Sequence, residues 1–437
     1  MNNLVKKTAF TVGACILSVL PAIAQDAAGK QQQPAAPVAV AESQPKVLVR
    51  VTATTSARKY LAKHKADIVS ADKRSIVVLT EQSAIGALKK AGLKVTETES
   101  FAAPSSTART FQQQDRRYHD YMGTVASLRG IAMANPDVAA MFSIGKTIEG
   151  RDIIVLRINT QNDKMASSTK PGILFTAAMH GREHLGTEVA INLANWLVNN
   201  KNSQIIGPLL ANRDIFIIPM VNPDGVEYDI SDTAYKGWKK NTRKLLGGVG
   251  VDLNHNFPVF WGTPQNGLAD IASDEYKGTA PFSEPETTAL RNFITQSPNI
   301  RLAISYHTYG EQIFYPWFAS ASPVPNEQDA TTLKLLASKA AALTGYAAMQ
   351  GGAAAPNTGD FSDWLISTRR ILPLEIVLSP NSKMPLKDAI AGFYPGSQMI
   401  DMATVPNLKA AHMFIAAAGD PAKFVRPQAT ETTVESK

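Results

Sequence analysis

The sequence predicts an α/β protein: a mixed, mostly parallel β-sheet flanked by helices on both faces, with a small N-terminal α/β unit ahead of it. Three observations carry the prediction. From Tyr118 to about Ala418, β-rich apolar runs alternate with stretches of helical spacing, the pattern of strands joined by crossover helices. A shorter alternation of the same kind stands apart near the N-terminus. Polar clusters follow directly on the apolar runs, at the carboxyl ends of strands, where such sheets place their sites.

In chain order, residues 1–24 of MNNLVKKTAFTVGACILSVLPAIAQ read as a secretory signal. Lys6 and Lys7 form its basic start, Thr8 to Leu20 is apolar but too short to span a bilayer, and Ala22-Ile23-Ala24 is a cleavage site. The mature chain is expected to begin at Gln25, to be secreted or periplasmic, and to have no membrane association after cleavage. Residues 25–46, rich in Gln, Ala and Pro, read as a flexible linker. Residues 47–97 form the small unit: KVLVRVTA as a strand, SARKYLAKH as a helix, ADIVS and RSIVVLT as strands about a polar turn, then a helix ending near Gly92 and a last strand. Residues 98–117 read as a second linker, 118–423 as the large unit, and 424–437 as a disordered tail.

Within the large unit, IIVLRI and GILFTAAM read as strands. LGTEVAINLANWLVNN has helical spacing, with Val189, Leu193, Trp196 and Leu197 on one face. DIFIIPMV is a buried strand running into a turn at NPDG. RLAISYHTYG is a strand, ATTLKLLASKAAALTG a helix closed by Gly345, and ILPLEIVL a late strand.

Composition narrows the chemistry. The one cysteine, Cys15, lies inside the signal, so metal ligands in the mature chain must be His, Asp or Glu. The formal charge is +7; loss of Lys6 and Lys7 with the signal leaves 42 − 37 = +5. These charges are scattered rather than massed with aromatics, which argues against nucleic-acid binding.

The chain has only seven histidines, and two of them sit in AAMHGREHLGTE. Ile173 to Met179 is the strand there, and His180-Gly181-Arg182-Glu183 is the turn leaving it. A third ligand should come from another strand end, and LAISYHTYG offers His307. Glu375 is a lone acid in the apolar run LPLEIVL. A buried carboxylate without a partner is costly, but opposite a metal it makes sense as a general base.

These residues, together with SIGKTIEGRDIIVLRI, VNPDG, GWKKNTR, GVDLNHNFPVFWG, PFSEPET, SYHTYGEQIFYPW and DW in that order, resemble the zinc metallocarboxypeptidases related to carboxypeptidases A and B. The resemblance runs from about Tyr118 to Leu378. It implies one zinc ion held by His180, Glu183 and His307, with the fourth position left for water. It implies that Glu375 is the general base, that Lys239 stands for the arginine that stabilises the oxyanion, and that Arg182, Asn254, His255 and Tyr309 bind substrate. His184 matches no ligand and reads as a residue that supports the ligands from behind or lies on the surface.

Three departures from the family concern how the substrate is held. Lysine replaces arginine at Lys239, keeping the charge and losing the planar fork. His255 replaces the arginine that clamps the substrate's terminal carboxylate; an ordinary imidazole, titrating near ~6.5, would supply charge only in acid. Ala355 stands where relatives have a mobile tyrosine. Ser362 falls where relatives place a pocket-floor residue, with Asp360 nearby.

The leading expectation is therefore a secreted zinc carboxypeptidase acting on peptide or protein substrates. Two alternatives stay open: a zinc peptidase or amidase acting on unusual substrates such as cell-wall peptides, and a non-catalytic binding protein on this fold. The small unit resembles pro-segments in layout, the alternative being an attached accessory domain. Arg109, Arg116 and Arg117 are candidate processing points.

Overall fold

The computed structural model describes residues 46–64, 66–71, 75–100, 111–112, 115–160, 168–232, 235–262, 270–354, 356–381 and 391–425. The signal, nearly all of the first linker, Arg109, Ala355 and residues 426–437 lie outside them.

The small unit runs β1 (Lys46–Thr52), α1 (Thr55–Lys63), β2 (Asp67–Ala71), β3 (Ser75–Glu81), α2 (Ile85–Lys90) and β4 (Val95–Ser100). Its sheet has the order β2-β3-β1-β4 with every neighbour antiparallel, a split β-α-β layout. Alternation along the strands turns Val49, Val51, Ile76 and Val78 inward, where Ala57 and Leu61, one turn apart on α1, meet them with Leu88 of α2. β4 extends three residues past the expected boundary at 97, pairing Ser100 with Val47. Its polar sequence suits an edge strand.

The large unit begins with α3 (Tyr121–Ala134), β5 (Ala139–Lys146), β6 (Asp152–Ile158) and β7 (Gly172–Ala177). It continues through α4 (His184–Asn199), α5 (Gly207–Asn212), β8 (Asp214–Ile218) and α6 (Pro223–Asp229). A short hairpin, β9 (Lys244–Leu245) and β10 (Gly248–Val249), precedes α7 (Pro285–Gln296), β11 (Ile300–Gly310) and β12 (Gln312–Tyr315). Last come α8 (Glu327–Thr344), β13 (Ala347–Gln350), α9 (Gly351–Ala354), α10 (Phe361–Arg369), β14 (Leu372–Asn381), α11 (Met399–Ala417) and α12 (Pro421–Val425).

Eight strands form one mixed sheet in the order β13-β12-β14-β11-β7-β8-β6-β5. The centre, β14-β11-β7-β8, is parallel; β12 and β6 flank it antiparallel, and β5 pairs antiparallel with β6. One face packs Ile173, Phe175, Ile304 and Tyr306 against α3, α4, α8 and α11; the other packs Leu174, Ala303, Phe216 and Ile218 against α7 and α10. The fold class is the one expected.

Local differences have identifiable causes. NPDG is not a free turn but the start of α6: Asn222 Oδ1 accepts from Gly225 N at 2.9 Å and Pro223 takes the first helical position, a helix-start signature. The expected tail loses its first two residues to α12. Arg117, in the second linker, is tied to Asp401 of α11 by two hydrogen bonds of 2.7 and 2.9 Å.

Candidate active site

The site sits at the carboxyl end of the parallel strands. β7 leads into the turn His180–Glu183, and α4 starts directly after it. The turn is stitched to the segment before β9 by Gly181 N, which donates to Lys239 O at 2.9 Å. Only glycine fits there, because a Cβ would lie 2.5 Å from the Gly225 carbonyl oxygen.

Strand register builds the rest. Ser305 of β11 lies opposite Thr176 of β7 on one side and Glu375 of β14 on the other, so the three side chains form a row on one face. That is the face carrying Leu174 and Ala303 deeper in the sheet. Apolar filling thus gives way to polar groups at the strand ends. His307, two residues beyond Ser305, projects on the same face.

The carboxylate of Glu183 bridges both imidazoles, Oε1 at 2.9 Å from His180 Nδ1 and Oε2 at 2.9 Å from His307 Nδ1. All three residues are buried, and they form a group whose candidate ligand atoms lie within 4.8 Å of one another. Each imidazole also has an outer partner: His180 Nε2 lies 3.1 Å from Asp252 Oδ1, and His307 Nε2 lies 3.0 Å from Ser305 Oγ, itself bonded to Thr176. Outer partners of this kind fix ring orientation in metal sites, and two imidazoles with one carboxylate suit zinc with a position left open. Burial opposes ionisation of Glu183, but the imidazoles outweigh it and hold the carboxyl below its usual range. Burial likewise disfavours charge on His307, yet Glu183 prevails and raises it to about 9.

Glu375 is buried, and Ser362 Oγ donates to its Oε1 at 3.0 Å. Burial raises its pKa, with the nearby His307, Ser362, His180 and Asn254 pulling the other way. Ser362 is therefore turned toward Glu375. Asp360 caps α10 by accepting from Ser362 N at 2.7 Å and also accepts from Asn254 Nδ2 at 2.9 Å.

Asp252 joins the parts. Besides His180 it pairs with Lys239 Nζ at 2.6 Å and accepts from Asn254 N at 3.0 Å. Its burial opposes ionisation, but His255, Lys239 and His180 hold it well below the ordinary range. His255 lies in the same turn, its Nδ1 3.6 Å from Asp252 Oδ2. Burial drives its pKa down to about 3, so the expectation of an imidazolium in mild acid is overturned.

Arg182 turns outward: Nη1 donates to Gly237 O and Asp274 Oδ2, and the guanidinium lies 4.4 Å over Phe393. Tyr309 meets the same Phe393 edge-on at 5.0 Å. His184 is buried, not on the surface, with Nε2 2.8 Å from Asp229 Oδ2. Sequence reasoning passed over Asp252, Ser305 and Phe393. Asp252 had a usable signal, an acid between apolar Val251 and Leu253; the other two depend on register and tertiary contact.

A family model described as zinc carboxypeptidase matches residues 124–409. A zinc carboxypeptidase of Saccharothrix mutabilis subsp. capreolus is 28% identical over 431 residues, covering 93% of this chain and 95% of that protein. Carboxypeptidase B of Astacus astacus is 30% identical over 221 residues, 49% of this chain and 69% of that protein. Carboxypeptidase A from Helicoverpa armigera shares the fold, with a TM-score of 0.60 at 22% identity over 86% of this chain and 98% of that one. With the buried His-Glu-His group on a mixed eight-stranded sheet, these matches place the chain in the zinc carboxypeptidase family of metallopeptidases.

Proposed function

We propose that this protein is a secreted or periplasmic zinc carboxypeptidase that removes residues from the free C-terminal end of peptides. The observation that carries the reading is the placement of Glu375, one strand from Ser305 and within electrostatic reach of both imidazoles. When bound by His180, Glu183 and His307, zinc supplies Lewis acidity that polarises a carbonyl and acidifies water. Glu375 takes the proton from the attacking water and returns it to the departing amine, a role its raised pKa suits. Lys239, anchored on Asp252, offers positive charge to the oxyanion. Asn254 and His255 face the terminal carboxylate, and Arg182 and Tyr309 contact the rest of the peptide. Residues 47–97 act as a pro-segment over this site. No nucleic acid is a partner, and no helix among the described residues is long and apolar enough to cross a membrane.

The test is a panel of peptides with free and amidated C-termini and cell-wall peptides, run with and without chelator, before and after limited proteolysis of the connector. Chelator-sensitive release of single C-terminal residues from free acids, faster after proteolysis, is the expected result. Equal cleavage of amides would replace the reading by the amidase alternative, and slower cleavage after proteolysis would make residues 47–97 an accessory domain.

A further inference from the structure

Lys277 carries a buried ammonium that no carboxylate pairs with among the described residues. The residue is 6% exposed, and among the described residues its Nζ donates to the Thr358 hydroxyl and forms no ion pair. Its main chain is pinned, since the Lys277 carbonyl accepts from Asn256 Nδ2 at 2.8 Å and from Trp261 Nε1 at 3.4 Å. The two acids whose charge reaches it are otherwise placed: Asp252 is paired with Lys239 and His180, and Glu275 is exposed. A buried cation without a counter-charge is costly, and a bound anion would remove that cost.

The position of the ammonium says which anion. Thr358 precedes Gly359, which presses on the His255 main chain so closely that a Cβ would lie 2.3 Å from the His255 carbonyl oxygen. Asp360 follows and holds Asn254. Lys277 therefore stands beside the turn in which the His255 ring nitrogen Nδ1, able to donate from a neutral imidazole, is buried without a hydrogen-bond partner.

We propose that Lys277 supplies the positive charge that binds the free α-carboxylate of the substrate's C-terminal residue. His255 adds at most a hydrogen bond. The assignment rests on the carboxypeptidase reading and names the residue that enforces it.

The test compares wild type, Lys277→Met, Lys277→Arg and His255→Gln on one blocked dipeptide as free acid and as amide, and on a free acid ending in Glu. Zinc content and circular dichroism are measured for each. A charge-assisted hydrogen bond corresponds to about tenfold or more. Lys277→Met should lose that factor in kcat/KM, mainly through KM, on both free acids and leave the residual amide rate unchanged. Lys277→Arg should recover most of it, and His255→Gln should lose less. If Lys277→Met does not fold, Thr358→Val, which frees the Nζ anchor, should raise KM for free acids alone. Equal losses on acid and amide, or a loss confined to the Glu-ended peptide, would overturn the proposal while leaving the carboxypeptidase reading intact. A wild type indifferent to amidation would overturn that reading itself.

Discussion

The two halves of the site treat their buried polar groups in opposite ways. On one side, each ring nitrogen of His180 and His307 has a partner, and the Glu183 carboxylate is held ionised between them. On the other, Asn254 Oδ1 and His255 Nδ1 have no hydrogen-bond partner, and Lys277 has a hydroxyl but, among the described residues, no counter-charge. Buried polar groups are expensive to leave unmatched. The first half is organised by the fold for itself, as a site that must keep its geometry through every turnover requires. The second leaves an ammonium and a ring nitrogen for the proposed carboxylate. Asp252 belongs to both, through His180 on one side and the Asn254 turn on the other.

The largest expected effects lie in the first half. His180→Ala and His307→Ala should abolish both zinc binding and turnover. Glu375→Gln should cut kcat by about 10²–10⁴-fold, the span of general acid–base catalysis, while zinc content stays at one per chain. Metal analysis beside kcat separates the cases. Zinc lost from Glu375→Gln would move Glu375 into the ligand set and end its role as base.

A smaller effect tests the junction. Asp252→Asn keeps a hydrogen-bond acceptor for His180 but removes the charge that Lys239 pairs with. Loss of an outer partner costs about 10–100-fold in metal affinity or activity. Both halves should suffer: zinc should bind more weakly in a competition titration, and KM for free-acid peptides should rise at saturating zinc. A change in KM with unaltered zinc affinity would show that Asp252 serves only the substrate half.

The same contrast explains what could be read without coordinates. His180 and Glu183 share one turn, and Glu375 is a lone acid in an apolar strand, so their chemistry is legible over a few residues. His307 follows because strand ends in a parallel sheet meet at one edge. Lys277 has no such signal. Its proposed role depends on Thr358, 81 residues away, and on the lack of an ion pair among the described residues, which no local pattern reveals. His255 misleads for a related reason: its ordinary pKa is a property of solvated imidazole, and burial removes it. NPDG, by contrast, reads as a turn only because its local signal is passed over: an asparagine followed by proline marks a helix start.

The last comparison, read in stability and with no expected change in turnover, tests whether internal satisfaction without charge is purely structural. Glu286, in the first turn of α7, is fully buried. It accepts from Ile148 N at 3.2 Å and from Asn241 Nδ2 at 3.4 Å. Glu284 and Asp224 lie close enough for their charge to add to the cost of burial, and together these raise its pKa to about 8. Between the ordinary value of about 4.5 and the raised value of about 8, the folded state holds a proton that the unfolded state has released. Stability must then fall as pH rises through that window, by about 1.4 kcal/mol for each unit of pH over which the difference is complete. Below the window both states are protonated and the contribution vanishes; above it the loss levels off. Glu286→Gln keeps the shape and the acceptor while removing the titration. Its urea midpoint at fixed zinc should therefore match wild type near pH 4.5 and exceed it increasingly toward pH 8. Zinc affinity and kcat/KM at pH 7 should not move, because no part of the site touches Glu286. Parallel stability curves for the two proteins would mean that Glu286 is ionised in the fold, with Asn241 and Ile148 carrying its charge.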